Sequence, residues 1–248
     1  MRDTSTAGAF DRIIHHGVKV NSEDREWLEW QTQMTSCYDS LNYEDNISGF
    51  FLRKSHMLAE FEFNNMSHFS KVLEVGTGTG QHLSYVRHGF CHYYMSDINH
   101  NILKRAQMRS TPHRDGITHF VASDCANLCF PNRSFDRLIA IHVLEHIYFP
   151  HKILKEWKRV VKKEGTITIV LPTDPGFAWR IARIYARRKA IRLGIAYDLV
   201  MAREHVNPIN NLVSLIHHYF KSIKEIWFPF CIPSMDLNFY YCCHIRND

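Results

Sequence analysis

The stretch Val72 to Leu83, VLEVGTGTGQHL, sets Gly76, Gly78 and Gly80 directly after an apolar run, with the acid Glu74 just ahead of them. Glycine tolerates positive φ and has no Cβ, so a turn of this kind lets backbone approach a ligand closely, and a helix starting beyond it offers free N–H groups. The dinucleotide fingerprint G-x-G-x-x-G needs glycine where Gln81 stands, and the Gly-Lys-Ser/Thr of a phosphate-binding Walker loop is absent. Glu74 repels phosphate and suits a cationic ligand. Asp97 closes the next apolar run, CHYYMSD, where a carboxylate accepts from two ribose hydroxyls. Asp124 follows the third, THFVAS, in reach of an adenine amino group. Either acid alone also reads as a helix N-cap. Three acids at three successive strand ends make a nucleoside pocket without a phosphate binder.

Those residues need a sheet to hold them. From Lys71 short apolar runs alternate with amphipathic stretches, the pattern of strand-helix units on a parallel sheet. The runs are KVLEV, CHYYMSD, THFVAS, DRLIAI and TITIVLP, and helices are expected over GQHLSYVRHG, NHNILKRAQMRS and PHKILKEWKRVVKKEG. In the last, Ile153, Leu154, Trp157, Val160 and Val161 share one face, and Gly165 stands where a C-terminal left-handed cap belongs. Residues 173–207 interrupt the alternation with a basic insertion, after which NPINNLVSLIHHYF reads as a helix and KEIWFPF and LNFYYCCHI as strands. Ahead of the sheet, residues 1–66 read as a helical cap, in which Tyr38 and Tyr43 either close over the ligand or sit in its core.

The 248 residues suffice for one substantial core. An apolar share of 45%, a charged share of 22% and a net charge of +5 are those of an ordinary folded chain and give no argument for nucleic acid. No stretch has the roughly 18 uninterrupted apolar residues of a spanning helix, and the first residues lack the apolar core of a secretory signal, so the expected location is cytoplasmic. The seven cysteines show no C-x-x-C pair and read as buried thiols, with a zinc site at Cys125 and Cys129 as the sharper alternative.

The segments VLEVGTGTG, SDIN, ASDCANLCFPNRSFDRLIAIHVLEHI and LKEWKRVVKKEGTITIVLP resemble the class I S-adenosylmethionine-dependent methyltransferases over residues 67–172. Within that superfamily the chain is most similar to the type 11 group, and its VLEHI segment is similar to the ubiquinone-biosynthesis O-methyltransferases. The resemblance implies an α/β fold with a Rossmann-like sheet of seven strands, the last antiparallel, a helical cap at 1–66 and a methyltransferase domain at 67–248 carrying the insertion after strand 5. It further implies S-adenosylmethionine as cofactor, with Gly76, Gly78 and Gly80 against its methionine part and Asp97 on its ribose. Asp124 and the Cys125 amide are implied on its adenine and His142 near its sulfonium, while Glu74 anchors the turn and adds local charge.

A hydroxyl acceptor has to lose a proton, and His142, His146 and His205 titrate nearest neutrality, with Glu145 fixing a neighbouring histidine. Residues 177–194 carry Arg180, Arg183, Arg187, Arg188, Lys189 and Arg192 and no acid. A helical wheel sets Ile181, Ile184 and Tyr185 opposite Arg180, Arg183 and Arg187. That segment is either an interfacial helix attracted to anionic membrane, a lid packed over the site, or a grip on an acidic substrate. The expected activity is methyl transfer to a small-molecule or lipid- or sugar-linked acceptor, at oxygen. The alternatives are N-, C- or nucleic-acid methylation, or a cofactor-binding module without catalysis.

Overall fold

The computed structural model describes residues 14–15, 18–19, 47–110, 116–192 and 194–248. Seven strands form one sheet: β1 His68–Val75, β2 Gly89–Asp97, β3 Ile117–Ala122, β4 Phe135–Ile141, β5 Val161–Pro172, β6 Ser222–Phe228 and β7 Tyr240–Arg246. Their order is β3-β2-β1-β4-β5-β7-β6. β7 runs antiparallel to β5 and β6, and the pairs among β1 to β5 are parallel. The winding reverses between β1 and β4, so the C-terminal ends of these two strands flank the crevice where open α/β sheets bind ligands.

The helices are α1 Ile47–Ala59, α2 His100–Arg109, α3 Pro150–Val160, α4 Phe177–Arg192, α5 Tyr197–Glu204 and α6 Ile209–Tyr219. Alternation along the strands splits the core in two. Leu73, Leu138, Ile167 and Cys243 face α3 and α6, whereas Val72, Ile139, Val170 and Cys242 face α1 and α2. On α3, Ile153, Leu154, Trp157 and Val160 recur at helical spacing and are all buried. α2 starts on Asn99, whose side chain accepts from the amides of Asn101 and Ile102.

A second device fastens the cap helix to the sheet. Arg137 lies wholly buried on β4; its guanidinium sits 2.8 Å from the carboxylate of Glu60, the residue after α1, and donates to the Ala59 carbonyl at 2.7 Å. The Phe63 ring covers it, with 3.8 Å from guanidinium carbon to ring centroid. Glu60 also takes the Arg87 amide at 3.1 Å and stands 3.3 Å from His82. Burial opposes its charge, but Arg137 and His82 hold the carboxyl down at about 2.

Three expectations change. GQHLSYVRHG forms only a 3-10 turn, Gln81–Tyr85, in which His82 is drawn inward onto Glu60. α3 ends at Val160, where the Ser134 amide bonds the Val160 carbonyl and Val161 already pairs with Phe135. Gly165 therefore lies inside β5, where a Cβ would stand 2.9 Å from the Asp136 carbonyl; close strand approach, not a helix cap, demands glycine there. In α4 the apolar residues Ile181, Ile184 and Tyr185 face solvent rather than the protein and share that face with Arg180 instead of standing opposite it, while Arg183 turns inward onto Asp174. The cap residues before Ile47, Tyr38 and Tyr43 among them, lie outside the described residues. No helix among the described residues is long and apolar enough to cross a membrane.

Candidate active site

β1 delivers the chain into a turn with positive φ at Gly76, Gly78 and Gly80, 64°, 54° and 79°. A Cβ at Gly76 would lie 2.6 Å from Val143 Cγ2, and one at Gly80 would lie 2.8 Å from Met95 Cε. The turn is thus wedged between the end of β4 and the β2–α2 unit. It is also pinned to β2: the Gly78 amide donates to Asp97 Oδ2 at 3.0 Å and the Thr77 amide to the Ser96 carbonyl at 3.1 Å. Asp97 Oδ1 accepts from the Asn99 amide at 2.8 Å. Its carboxylate is half-buried at the mouth of the turn.

The Ser123 amide ties β3 to the Asp97 carbonyl at 3.1 Å, and Asp124 Oδ1 accepts from the Ala126 amide at 2.8 Å. The three strand ends foreseen from the sequence therefore stand side by side, Asp97 and Asp124 each shaping its own loop. The Cys125 thiol is pushed up to about 12 by burial and then by Asp124 and Asp97, so it stays protonated. Glu74 is buried behind the turn, accepts from the Tyr93 hydroxyl at 2.8 Å, and has its pKa raised by burial. Among the described residues no three His, Cys, Asp or Glu side chains gather to hold a metal.

Across the crevice, His142 follows β4 with φ of 56°, a conformation that a non-glycine residue adopts only under strain. Its amide bonds the Val170 carbonyl at 3.0 Å, its Nδ1 lies 3.2 Å from Glu145 Oε1, and its Nε2 is buried with no partner among the described residues. The ring stands edge-on to Tyr240 at 5.3 Å, and Tyr240 in turn to Trp179 of α4 at 6.0 Å. Burial opposes the charge of Glu145, but His142 and His146 hold its pKa below the ordinary value.

His146 pairs with Glu204 at 3.1 Å, and its ring lies 5.0 Å from that of His205. Burial would lower its pKa; the Glu204 hydrogen bond and the charges of Glu145 and Glu204 raise it instead to about 9, so it carries a proton at neutral pH. His205 hydrogen-bonds Asp174 at 3.0 Å, yet burial holds its pKa below the usual value. Arg183 reaches the same carboxylate at 3.5 Å. The amides of Val206 and Asn207 bond the Glu145 carbonyl at 2.9 and 3.1 Å, and Asn207 Nδ2 donates to the carbonyls of Leu144 and Ile147. The insertion is in this way stitched to the Leu144–His146 turn.

All three histidines singled out in the sequence thus share one wall. Asp174, Glu204, Trp179 and Tyr240 were not foreseen. Asp174 had a visible signal, since it too is an acid just beyond a strand, in LPTDP, while the others depend on the insertion folding back.

The methyltransferase domain family matches residues 73–169. The phosphatidylethanolamine N-methyltransferase of Cereibacter sphaeroides is 30% identical over 141 residues, 56% of this chain and 68% of that protein. The demethylmenaquinone methyltransferase of Thermotoga maritima is 28% identical over 47% of this chain, which spans only 49% of that relative's length. Among solved structures, the N-methyltransferase NodS of Bradyrhizobium japonicum in complex with S-adenosyl-L-homocysteine has the same fold, with a TM-score of 0.59 at 16% identity over 88% of this chain and 97% of its own.

Proposed function

Because the chain belongs to the class I S-adenosylmethionine-dependent methyltransferases, we propose that it methylates a hydroxyl oxygen of a small-molecule or lipid- or sugar-linked acceptor, with His142 as the base. S-adenosylmethionine supplies, when bound, a methyl group on a positively charged sulfur. The donor set fits it: carboxylates at three strand ends, and no lysine or arginine in residues 72–83 to hold phosphate. Gly76, Gly78 and Gly80 would take the methionine part, Asp97 the ribose, and Asp124 with the Cys125 amide the adenine. Glu74, buried on Tyr93, anchors the turn.

The observation that carries the base assignment is the unpartnered Nε2 of His142, one residue from the Val143 side chain that abuts Gly76. Glu145 on Nδ1 fixes the tautomer that leaves Nε2 free to accept. Nε2 takes the hydroxyl proton as the oxygen takes the methyl, and Glu145 stabilises the imidazolium. His146, already protonated, acts as the cation that holds Glu145 and Glu204 in place. His205, with Asp174 and Arg183, lines the acceptor side. An amine acceptor is the second reading, favoured by the N-methyltransferase name of the Cereibacter relative; it needs no base at His142.

Acceptors are screened with radiolabelled donor, and the His142→Ala protein is compared with wild type. A hydroxyl acceptor with a kcat loss of about 10²- to 10⁴-fold and unchanged donor affinity supports the assignment. Full kcat on a hydroxyl acceptor removes His142 as base, and turnover only on amines moves the function to the second reading.

A further inference from the structure

At 3.6 residues per turn, Phe177, Ile181, Ile184, Tyr185 and Ile191 fall with Arg180, Arg188 and Arg192 into one stripe of α4 about 140° wide. Every one of these side chains is exposed, the apolar five at 62, 47, 52, 58 and 51%. The opposite side of the helix is Ala178, Trp179, Ala182, Ala186 and Ala190, of which Ala190 is buried and Trp179 packs on the core. The helix thus turns its small residues inward and its bulky apolar ones to water. Packing among the described residues does not account for such a face, and contiguous exposed apolar surface marks an interaction site.

Charge indicates what covers it. α4 contains no acid; Arg187, beside the stripe, is paired with Asp198 at 2.8 Å. Arg180, Arg188 and Arg192 have no acidic partner among the described residues. Arginines interspersed among bulky apolar side chains suit an anionic bilayer, where the apolar groups enter the acyl boundary and the long bases reach lipid phosphates. A second element adds to the same edge: in the loop between β6 and β7, Phe230, Ile232 and Leu237 are exposed, and Asp236 caps α4 by accepting from the Phe177 amide at 2.9 Å. The inner side of α4 leads to the active site through Trp179, Tyr240 and His142.

We propose that the exposed stripe of α4, together with this loop, docks the protein on an anionic phospholipid surface. The site then faces acceptors held in the bilayer. Docking stands without the methyl-transfer reading, whereas delivery of a lipid-linked acceptor rests on it.

The test is co-sedimentation of the full chain with phosphatidylcholine vesicles, with and without phosphatidylglycerol, for wild type, Ile184→Glu and Arg188→Ala. S-adenosylhomocysteine binding is measured in parallel to show that the variants remain folded. Docking predicts binding that depends on phosphatidylglycerol, a loss of about fivefold for Arg188→Ala, and near-abolition by Ile184→Glu with cofactor affinity unchanged. Equal partitioning of Ile184→Glu and wild type, or no dependence on the anionic lipid, overturns it. So does the absence of vesicle binding together with an Ile184-dependent dimer in light scattering, which would assign the face to a second copy. If vesicles bind but cofactor does not, the docking stands and the methyl-transfer reading falls.

Discussion

Replacing Glu60 by Gln removes one charge and almost no volume, and leaves the Arg137 guanidinium buried without its counter-ion. The carboxyl is held from 4.5 down to about 2 in the fold, and at 1.36 kcal/mol per unit this amounts to about 3 kcal/mol at neutral pH. Breaking a buried pair from one side costs about 3–5 kcal/mol by an independent route. For a chain of this size a loss of about 3 kcal/mol lowers Tm by about 6–12 °C. The folded pKa is the lower one, so the stabilisation is fully present above about 4.5 and is lost as pH falls through about 2. The gap between wild type and Glu60→Gln in urea unfolding is therefore constant from pH 7 to 5 and narrows toward pH 2.5. A difference below about 0.5 kcal/mol at pH 7, or a gap that ignores acid, refutes the claim that this ion pair fastens α1 to the sheet.

Gly76→Ala must hold alanine at φ 64° with its Cβ 2.6 Å from Val143; a cost of about 2 kcal/mol is expected, seen as a Tm fall of about 4–8 °C with loss of donor binding, and unchanged values contradict it. His146 has a folded pKa of about 9, above its ordinary 6.5. Its contribution to stability is accordingly present below about 6.5 and lost as pH rises through about 9. NMR titration of Glu204→Gln should show the His146 pKa lowered by a unit or more, with a smaller alkaline loss of stability than in wild type; an unmoved titration would falsify the Glu204 pairing.

Much of the sheet was legible because its first five strands are short apolar runs separated by amphipathic stretches, and the first three of them run into Gly76, Asp97 and Asp124, the endings that would carry the donor side of the site. The acceptor side was legible only as residue types. His142, His146 and His205 stood out, but their roles diverge through Glu145, Glu204 and Asp174, whose partners lie on other elements. The Arg137–Glu60 pair joins residues far apart in sequence, although an arginine inside the apolar run FDRLIAI already demanded a buried partner. The face that α4 presents could not be read from its wheel, because Arg183 turns inward onto Asp174 and leaves the isoleucines outside.

The central claim is that the glycine turn and Asp97 bind the methyl donor. Calorimetric titration of wild type and Asp97→Ala with S-adenosylhomocysteine tests it most directly. The substitution removes the carboxylate that holds the Gly78 and Asn99 amides. Asp97 is also proposed to accept from the ribose hydroxyls, and with charge-assisted bonds of that kind worth about 1.5–3 kcal/mol each, binding is expected in wild type and a loss of at least about 100-fold in the variant, with circular dichroism unchanged. No binding by wild type, or equal affinity in both proteins, contradicts the account.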